Sequence, residues 1–301
     1  MYLIAAVTIS PAFFLGPLGA LLLVSRPRTL REWLWIAISI GALAAWLRLP
    51  TSLADHTARA SAAFFVGAFV ALTLVGIRSL FTRSVLAVIV AALAMIAWFA
   101  AFQLRFATLE NELITRTWET WRLWLPDLPA AMPPGTDVFR EGAVPDRARQ
   151  FASTLTIMAA LFPAGLALNA LFGVRLAWGW YQRIACTPIM PPAKPFRDFR
   201  FNDQMVWVVV VSLATLLISS SRPVTLVAAN VLAVVGVLYA ARGAAIIRTS
   251  LLRATPVFVG ILVLMMLALF SVIPVVLTLL GIADTWVDFR RRMAPPSGAP
   301  S

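Results

Sequence analysis

The chain has 301 residues, of which 61% are hydrophobic and only 13% are charged, and its mean hydropathy is +0.88. This composition excludes a water-soluble domain with an ordinary polar surface, so apolar side chains must face lipid. The net charge of +12 would suggest nucleic acid for a soluble protein, but the arginines lie mostly beside hydrophobic blocks, where they set orientation and meet anionic headgroups. We therefore expect membrane lipids as partners and no nucleic acid.

The hydrophobic residues form blocks of about 20 residues, the length of a membrane-spanning helix. Backbone amides cannot stay unpaired in lipid, so these blocks must be helices. The fold class is therefore all-α, a polytopic transmembrane helical bundle of about eight spans. Prolines in the first and last blocks leave seven or nine spans open. In chain order the blocks cover residues 2–24, 33–46, 60–76, 84–103, 152–172, 205–218, 223–241 and 255–281.

The polar stretch 105–150 begins with a helical period of apolar residues. Its three tryptophans, Trp118, Trp121 and Trp124, predict an amphipathic helix that lies in the membrane interface. Glu112 and Arg116 are spaced i,i+4 and would support this helix. The Pro- and Gly-rich remainder indicates an extramembrane loop.

The segment 175–204 is basic and rich in aromatic residues and prolines, which indicates a loop. Together with the loops 25–32, 78–83 and 242–254 it holds 13 of the 25 basic residues and three of the 13 acids. The positive-inside rule therefore places these four loops in the cytoplasm. The abundant alanine and arginine, with Lys194 the only lysine, are typical of a GC-rich bacterial genome, so we expect the bacterial inner (plasma) membrane.

Familiar catalytic motifs are absent from the sequence. There is no GxxxxGK[ST] or GxSxG, and the single histidine, His56, excludes HExxH. Cys186 is the only cysteine, so neither an internal disulfide nor a cysteine cluster can form. We expect no enzyme activity, no cofactor and no metal. Ionisable residues are nearly absent from the span centres, which argues against a buried proton relay.

Five residues are candidates for ligand binding. Asn230 lies inside a span, where it could bind a solute or hydrogen-bond another helix. Tyr239 and Arg242 lie at the end of that span, and Asp284 and Asp288 are spaced i,i+4 beyond the last block. The alternative for the two aspartates is an interfacial cap with salt bridges.

Two pairs of small residues predict close helix packing. Gly16 and Ala20 share one face of the first block, and Gly236 and Ala240 share one face of the seventh. Such small-xxx-small pairs allow helix backbones to approach each other in membranes.

The C-terminal half, roughly 199–292, resembles the YybS-like family of bacterial membrane proteins. The resemblance rests on Asn230, Tyr239, Gly243 and the run Gly-Ile-Ala-Asp-Thr-Trp-Val-Asp-Phe-Arg at 281–290. Such proteins have been grouped with the S components of energy-coupling-factor transporters, which bind a vitamin and rely on a separate ATPase. The resemblance implies a polytopic plasma-membrane protein with a role related to transport, and it assigns no substrate.

We expect a single membrane domain over 1–301. It comprises a four-span half (1–104), the interfacial helix and loop (105–150), a second four-span half (151–292) and a disordered tail (293–301). The leading hypothesis is a solute-binding or transport-associated component whose partner is a small solute. The alternative is a non-catalytic assembly partner that binds another membrane protein, and a third hypothesis is an intramembrane or lipid-modifying enzyme.

Overall fold

The computed structural model describes residues 10–49, 52–76, 79–124, 146–193, 195–251, 260 and 272–287. These residues form helices and connections and contain no strand. Two short 3-10 turns, Phe196–Asp198 and Asp203–Met205, precede the eighth helix. The α-helices are α1 (Pro11–Val24), α2 (Leu30–Arg48), α3 (Leu53–Leu74), α4 (Leu80–Ala101), α5 (Phe106–Arg122), α6 (Asp146–Ala160), α7 (Phe162–Ile184), α8 (Val206–Ile218), α9 (Arg222–Leu251) and α10 (Ile273–Val287).

Several of these helices are long and apolar enough to cross a membrane. In the described part of the chain four qualify, namely α2, α3, α4 and Arg222–Thr249 of α9, and the bent pair α6–α7 would make a fifth. The helices α1, α8 and α10 are apolar but shorter. The all-helical membrane fold is thus confirmed, whereas the count of eight spans stays a prediction.

The chain divides into two compact units, Met1–Ala193 and Lys194–Ser301. The predicted division into two four-span halves around 105–150 stays a prediction. Within the first unit, α1 packs against α2, α3 and α7. Its neighbours approach closely because α1 carries glycines: a Cβ at Gly16 would lie 2.9 Å from Val66 Cγ2, and one at Gly19 would lie 2.9 Å from Ser39 Cβ. The predicted close packing at Gly16 is therefore present.

The start of α2 is fixed by Glu32, which is buried. Thr29 is the N-cap, and Glu32 and Thr29 form a reciprocal capping box. The second carboxylate oxygen of Glu32 accepts a hydrogen bond from the backbone N–H of Cys186 at 2.9 Å. The Glu32 side chain therefore caps α2 and also links it by a hydrogen bond to the segment that follows α7.

The amphipathic helix α5 packs on its neighbours instead of facing only the membrane interface. Its Glu112 carboxylate accepts hydrogen bonds from the first backbone amides of α3, at 3.1 and 3.4 Å. The predicted pair with Arg116 is present, at an N–O distance of 3.8 Å. Trp118 is buried, with its ring centroid 5.8 Å from that of Phe151 on α6. Trp118 thus packs inside the protein, while Trp124 is exposed. The predicted loop beyond it lies mostly outside the described residues.

The fifth block forms two helices, and the prediction for the segment after it is wrong in part. The helices α6 and α7 meet at Leu161 with a bend of 58° and together could make one broken span. Pro163 accounts for a break here, since it has no N–H to donate to the preceding turn. The helix also continues past residue 172 to Ile184, so the first part of the predicted basic loop is helical and its aromatic residues Trp178 and Tyr181 are buried.

Candidate functional site

The candidate site lies in the second unit, where α9 and α10 cross at two glycines. A Cβ on Gly243 would overlap the backbone carbonyl of Leu277, and a Cβ on Gly281 would overlap that of Tyr239. The two backbones are therefore in direct contact, which only glycine permits. By contrast, a Cβ placed on Gly236 would meet no described atom within 4 Å, although the Gly236 carbonyl accepts a hydrogen bond from Thr278 Oγ1 of α10 at 3.3 Å.

This crossing brings Arg242 of α9 against Asp284 of α10. The Arg242 Nε donates to Asp284 Oδ2 at 2.9 Å, and Nη2 donates to the backbone carbonyl of Asp284 at 3.3 Å. Both side chains are fully buried. A buried guanidinium needs paired donors and a nearby negative charge to offset its lost hydration. Asp284 supplies both.

Asp203, in the turn before α8, is the second carboxylate on Arg242. It accepts a hydrogen bond from Arg242 Nη1 at 2.8 Å and also pairs with Arg200 at 3.2 Å. Its side chain is 44% exposed, so it is the solvent-facing member of the cluster. Partial burial would raise the pKa of Asp203, but hydrogen bonds from Arg242 and Arg200 outweigh this and hold the pKa below its usual value. The cluster therefore contains two cations and two anions.

Aromatic rings close one side of the cluster. The Arg242 guanidinium lies 5.5 Å from the ring centroid of Phe201, and the ring of Tyr239 meets the same phenyl ring edge-on at 5.0 Å. Tyr239 is fully buried, and its hydroxyl has no hydrogen-bond partner within the described residues. Buried hydroxyls without a partner are uncommon and need an explanation.

The five predicted site residues have different outcomes in the structure. Tyr239, Arg242 and Asp284 come together, whereas Asn230 lies 12 residues from Arg242 on the same helix, about 18 Å away. The amide of Asn230 donates to the carbonyl of Leu226 one turn before it. Asp288 lies outside the described residues. Whether these residues bind a ligand stays a prediction.

One prediction about the position of Arg242 is wrong. The sequence suggested that the span ends at residue 241, but α9 continues to Leu251, so Arg242 lies inside the helix. The helix tolerates this charge because Asp284 and Asp203 neutralise it. Sequence reasoning missed Asp203 altogether, since nothing in the loop marks it as a partner for α9.

Charge balance limits the chemistry of this cluster. Each arginine of the cluster is paired with a carboxylate, which disfavours a strongly ionic ligand, and the buried Tyr239 hydroxyl has no hydrogen-bond partner among the described residues. Within the described residues no three His, Cys, Asp or Glu side chains come together to hold a metal ion.

An all-helical chain with several apolar helices of membrane-spanning length, and with a charged cluster buried between two helices, is a polytopic membrane protein. The family described as "Predicted membrane protein (DUF2232)" matches residues 2–285, and the chain belongs to this family. No curated protein and no solved structure matches the chain.

Proposed function

We propose that this protein is a non-enzymatic solute-binding or transport-associated component of the bacterial plasma membrane. In this proposal it crosses the bilayer about eight times, and a relation to the S components of energy-coupling-factor transporters would make it a ligand-binding subunit. The observation that supports it best is the buried Tyr239 hydroxyl, which lies near the charge-paired Arg242 and Asp284 and has no hydrogen-bond partner in the described part of the chain. Polar groups inside membrane helices usually mark a substrate path or a binding site.

The chemistry at Tyr239 suggests the class of ligand. A hydroxyl can donate and accept a hydrogen bond, and its aromatic surroundings favour a flat or apolar body. A small, uncharged solute with one polar group would complete the site. A strongly charged solute would have to separate the Arg242–Asp284 pair, which is unfavourable.

Replacing Tyr239 with phenylalanine tests this function directly. The change removes only a hydroxyl that makes no hydrogen bond to any described residue, so the free energy of unfolding should stay the same or rise by about 1 kcal/mol. Ligand binding should be lost. The measurement is a thermal-shift screen of the purified protein against vitamins, nucleosides, amino acids and lipids, because a ligand at 100 times its Kd stabilises the folded state by about 2.7 kcal/mol.

Tyr181 provides a matched control for this variant. It is equally buried, but its hydroxyl accepts a hydrogen bond from the backbone N–H of Ile189 at 2.9 Å. Tyr181→Phe should therefore cost about 1 kcal/mol of stability and keep the ligand response. If Tyr239→Phe responds to the ligand as the wild type does, Tyr239 is not part of the binding site.

A second candidate function, an assembly partner of a membrane complex, is favoured by a groove between α8 and α9. The groove has a volume of about 650 Å³ and is lined almost entirely by apolar side chains, including Trp207, Val211 and Val227. An exposed apolar groove of this size is typical of a surface that another helix covers. A stoichiometric companion after purification in mild detergent, together with a screen that finds no ligand, would favour this candidate.

A further inference from the structure

Arg83 is a second buried cation, and it has a different environment from Arg242. It lies in the first turn of α4 and is only 1% exposed. Its Nη1 donates to the hydroxyl of Thr73 at 3.3 Å. Within the described residues no carboxylate lies within ion-pairing distance of its guanidinium. Among the described residues this buried charge therefore has no counter-ion, an arrangement that is costly in a protein.

Trp178 of α7 lies against this guanidinium. The Arg83 Cζ is 4.8 Å from the centroid of the Trp178 ring and 5.9 Å from that of Phe69. These cation–π contacts stabilise the charge but use no N–H group. The Arg83 Nε and the Trp178 Nε1 are both buried, and neither has a hydrogen-bond partner among the described residues. Among the described residues, two side chains in contact, Arg83 and Trp178, thus each carry a buried N–H donor without an acceptor.

Arg83 and Trp178 lie at the end of the first unit that carries exposed arginines. Arg83 lies at the end of the unit where α3 ends and α4 begins, and where the Glu32–Cys186 hydrogen bond joins α2 to the chain after α7. The connection between α1 and α2 at this end carries the exposed arginines Arg26 and Arg28. Such arginine-rich ends lie at the level of lipid headgroups on the cytoplasmic side.

We propose that Arg83 and Trp178 form a binding site for a phosphate group. The guanidinium supplies the positive charge and an N–H, the indole supplies a second N–H, and the missing acceptor is an oxyanion. The phosphate belongs either to the headgroup of an anionic phospholipid or to a free phosphate ion. The site lies in the first unit and does not depend on the function proposed for Tyr239.

The test measures the apparent stability of the purified full-length protein with two probes. One probe is phosphatidylglycerol in mixed micelles, compared with phosphatidylcholine, and the other is inorganic phosphate, compared with chloride at equal ionic strength. We expect phosphatidylglycerol, inorganic phosphate or both to raise the Tm of the wild type. A response to phosphatidylglycerol alone identifies a lipid headgroup, and a response to inorganic phosphate as well identifies the free ion as a sufficient ligand.

Two variants locate the response at this site. Arg83→Gln removes the charge and should weaken the affinity by about tenfold to 100-fold, the range for a charge-assisted hydrogen bond. Trp178→Phe keeps an aromatic ring but removes the N–H, and it should weaken the affinity by roughly twofold to tenfold. If Arg83→Gln does not fold, the wild-type titrations and the Trp178→Phe variant still decide the result.

Arg59 is the matched control. Its guanidinium also lies over a tryptophan, 5.4 Å from the ring centroid of Trp46, and its Nε likewise has no hydrogen-bond partner among the described residues. Unlike Arg83, however, both of its Nη atoms donate to backbone carbonyls, those of Trp46, Leu47 and Leu49 at the end of α2. Arg59→Gln should therefore lower stability and leave the phosphate response unchanged. The proposal is overturned if neither probe stabilises the wild type, or if Arg83→Gln and Trp178→Phe respond as the wild type does.

Discussion

Replacing Gly281 with alanine is expected to destabilise the protein by about 3 kcal/mol, near the upper end of the usual range for overpacking. The added methyl group would overlap the backbone carbonyl of Tyr239. A side chain could rotate away from such a contact, but a helix backbone cannot move without shifting the whole of α9. The variant should also lose the alignment of Arg242 with Asp284, because both residues lie within one helical turn of the glycine crossing.

Gly236→Ala on α9 is the control for this prediction. No described atom lies within 4 Å of the added methyl group, and alanine is the better helix former by about 1 kcal/mol. This variant should therefore be as stable as the wild type or slightly more stable. The measurement is the Tm and the unfolding midpoint of both variants in the same detergent. Equal losses for Gly236→Ala and Gly281→Ala would show that the helices do not touch at Gly281.

The sequence predicted the part of the site that depends on local pattern. Tyr239 and Arg242 stand one helical turn apart at the end of an apolar block, and Asp284 follows the last block, so the sequence marked all three as polar residues at span ends. It did not predict their contact, because consecutive spans run antiparallel and end on opposite sides of the membrane. Gly281 lies inside an apolar helix, where a glycine indicates a close backbone approach. That signal was present in the sequence, but it does not identify the partner helix.

The remaining contacts depend on tertiary structure, which a single sequence does not encode in a readable form. Glu32 shows the ordinary pattern of an acid at a helix start, and only the position of α7 makes it accept a hydrogen bond from Cys186. Arg83 looked like one of several basic residues that flank a span, and its burial against Trp178 depends on helices far apart in sequence. The extension of α9 past residue 241 was missed because Arg242 resembles the polar end of a span until its counter-ions are known.

Removing one partner of the buried ion pair should have the largest effect of any change in the second unit. Asp284→Leu leaves the fully buried Arg242 with the exposed Asp203 as its counter-ion, and we expect a loss of about 3–5 kcal/mol. Arg242→Met should cost a similar amount, since it leaves Asp284 buried and charged. A loss of this size would also abolish ligand binding by unfolding, so Asp284 is less informative than Tyr239 as a test of function.

The double variant Arg242→Met/Asp284→Leu distinguishes two explanations for the loss of stability, a coupled ion pair and two independent packing defects. If the pair is the cause, the double variant should be more stable than either single variant, because no unpaired charge remains in the apolar surroundings. Arg200→Gln is the control, since it removes the exposed ion pair with Asp203 and should cost at most about 1 kcal/mol. A chemical-unfolding double-mutant cycle measures all four variants. Additive losses at Arg242 and Asp284 would contradict a coupled pair and would assign their effect to packing at the glycine crossing.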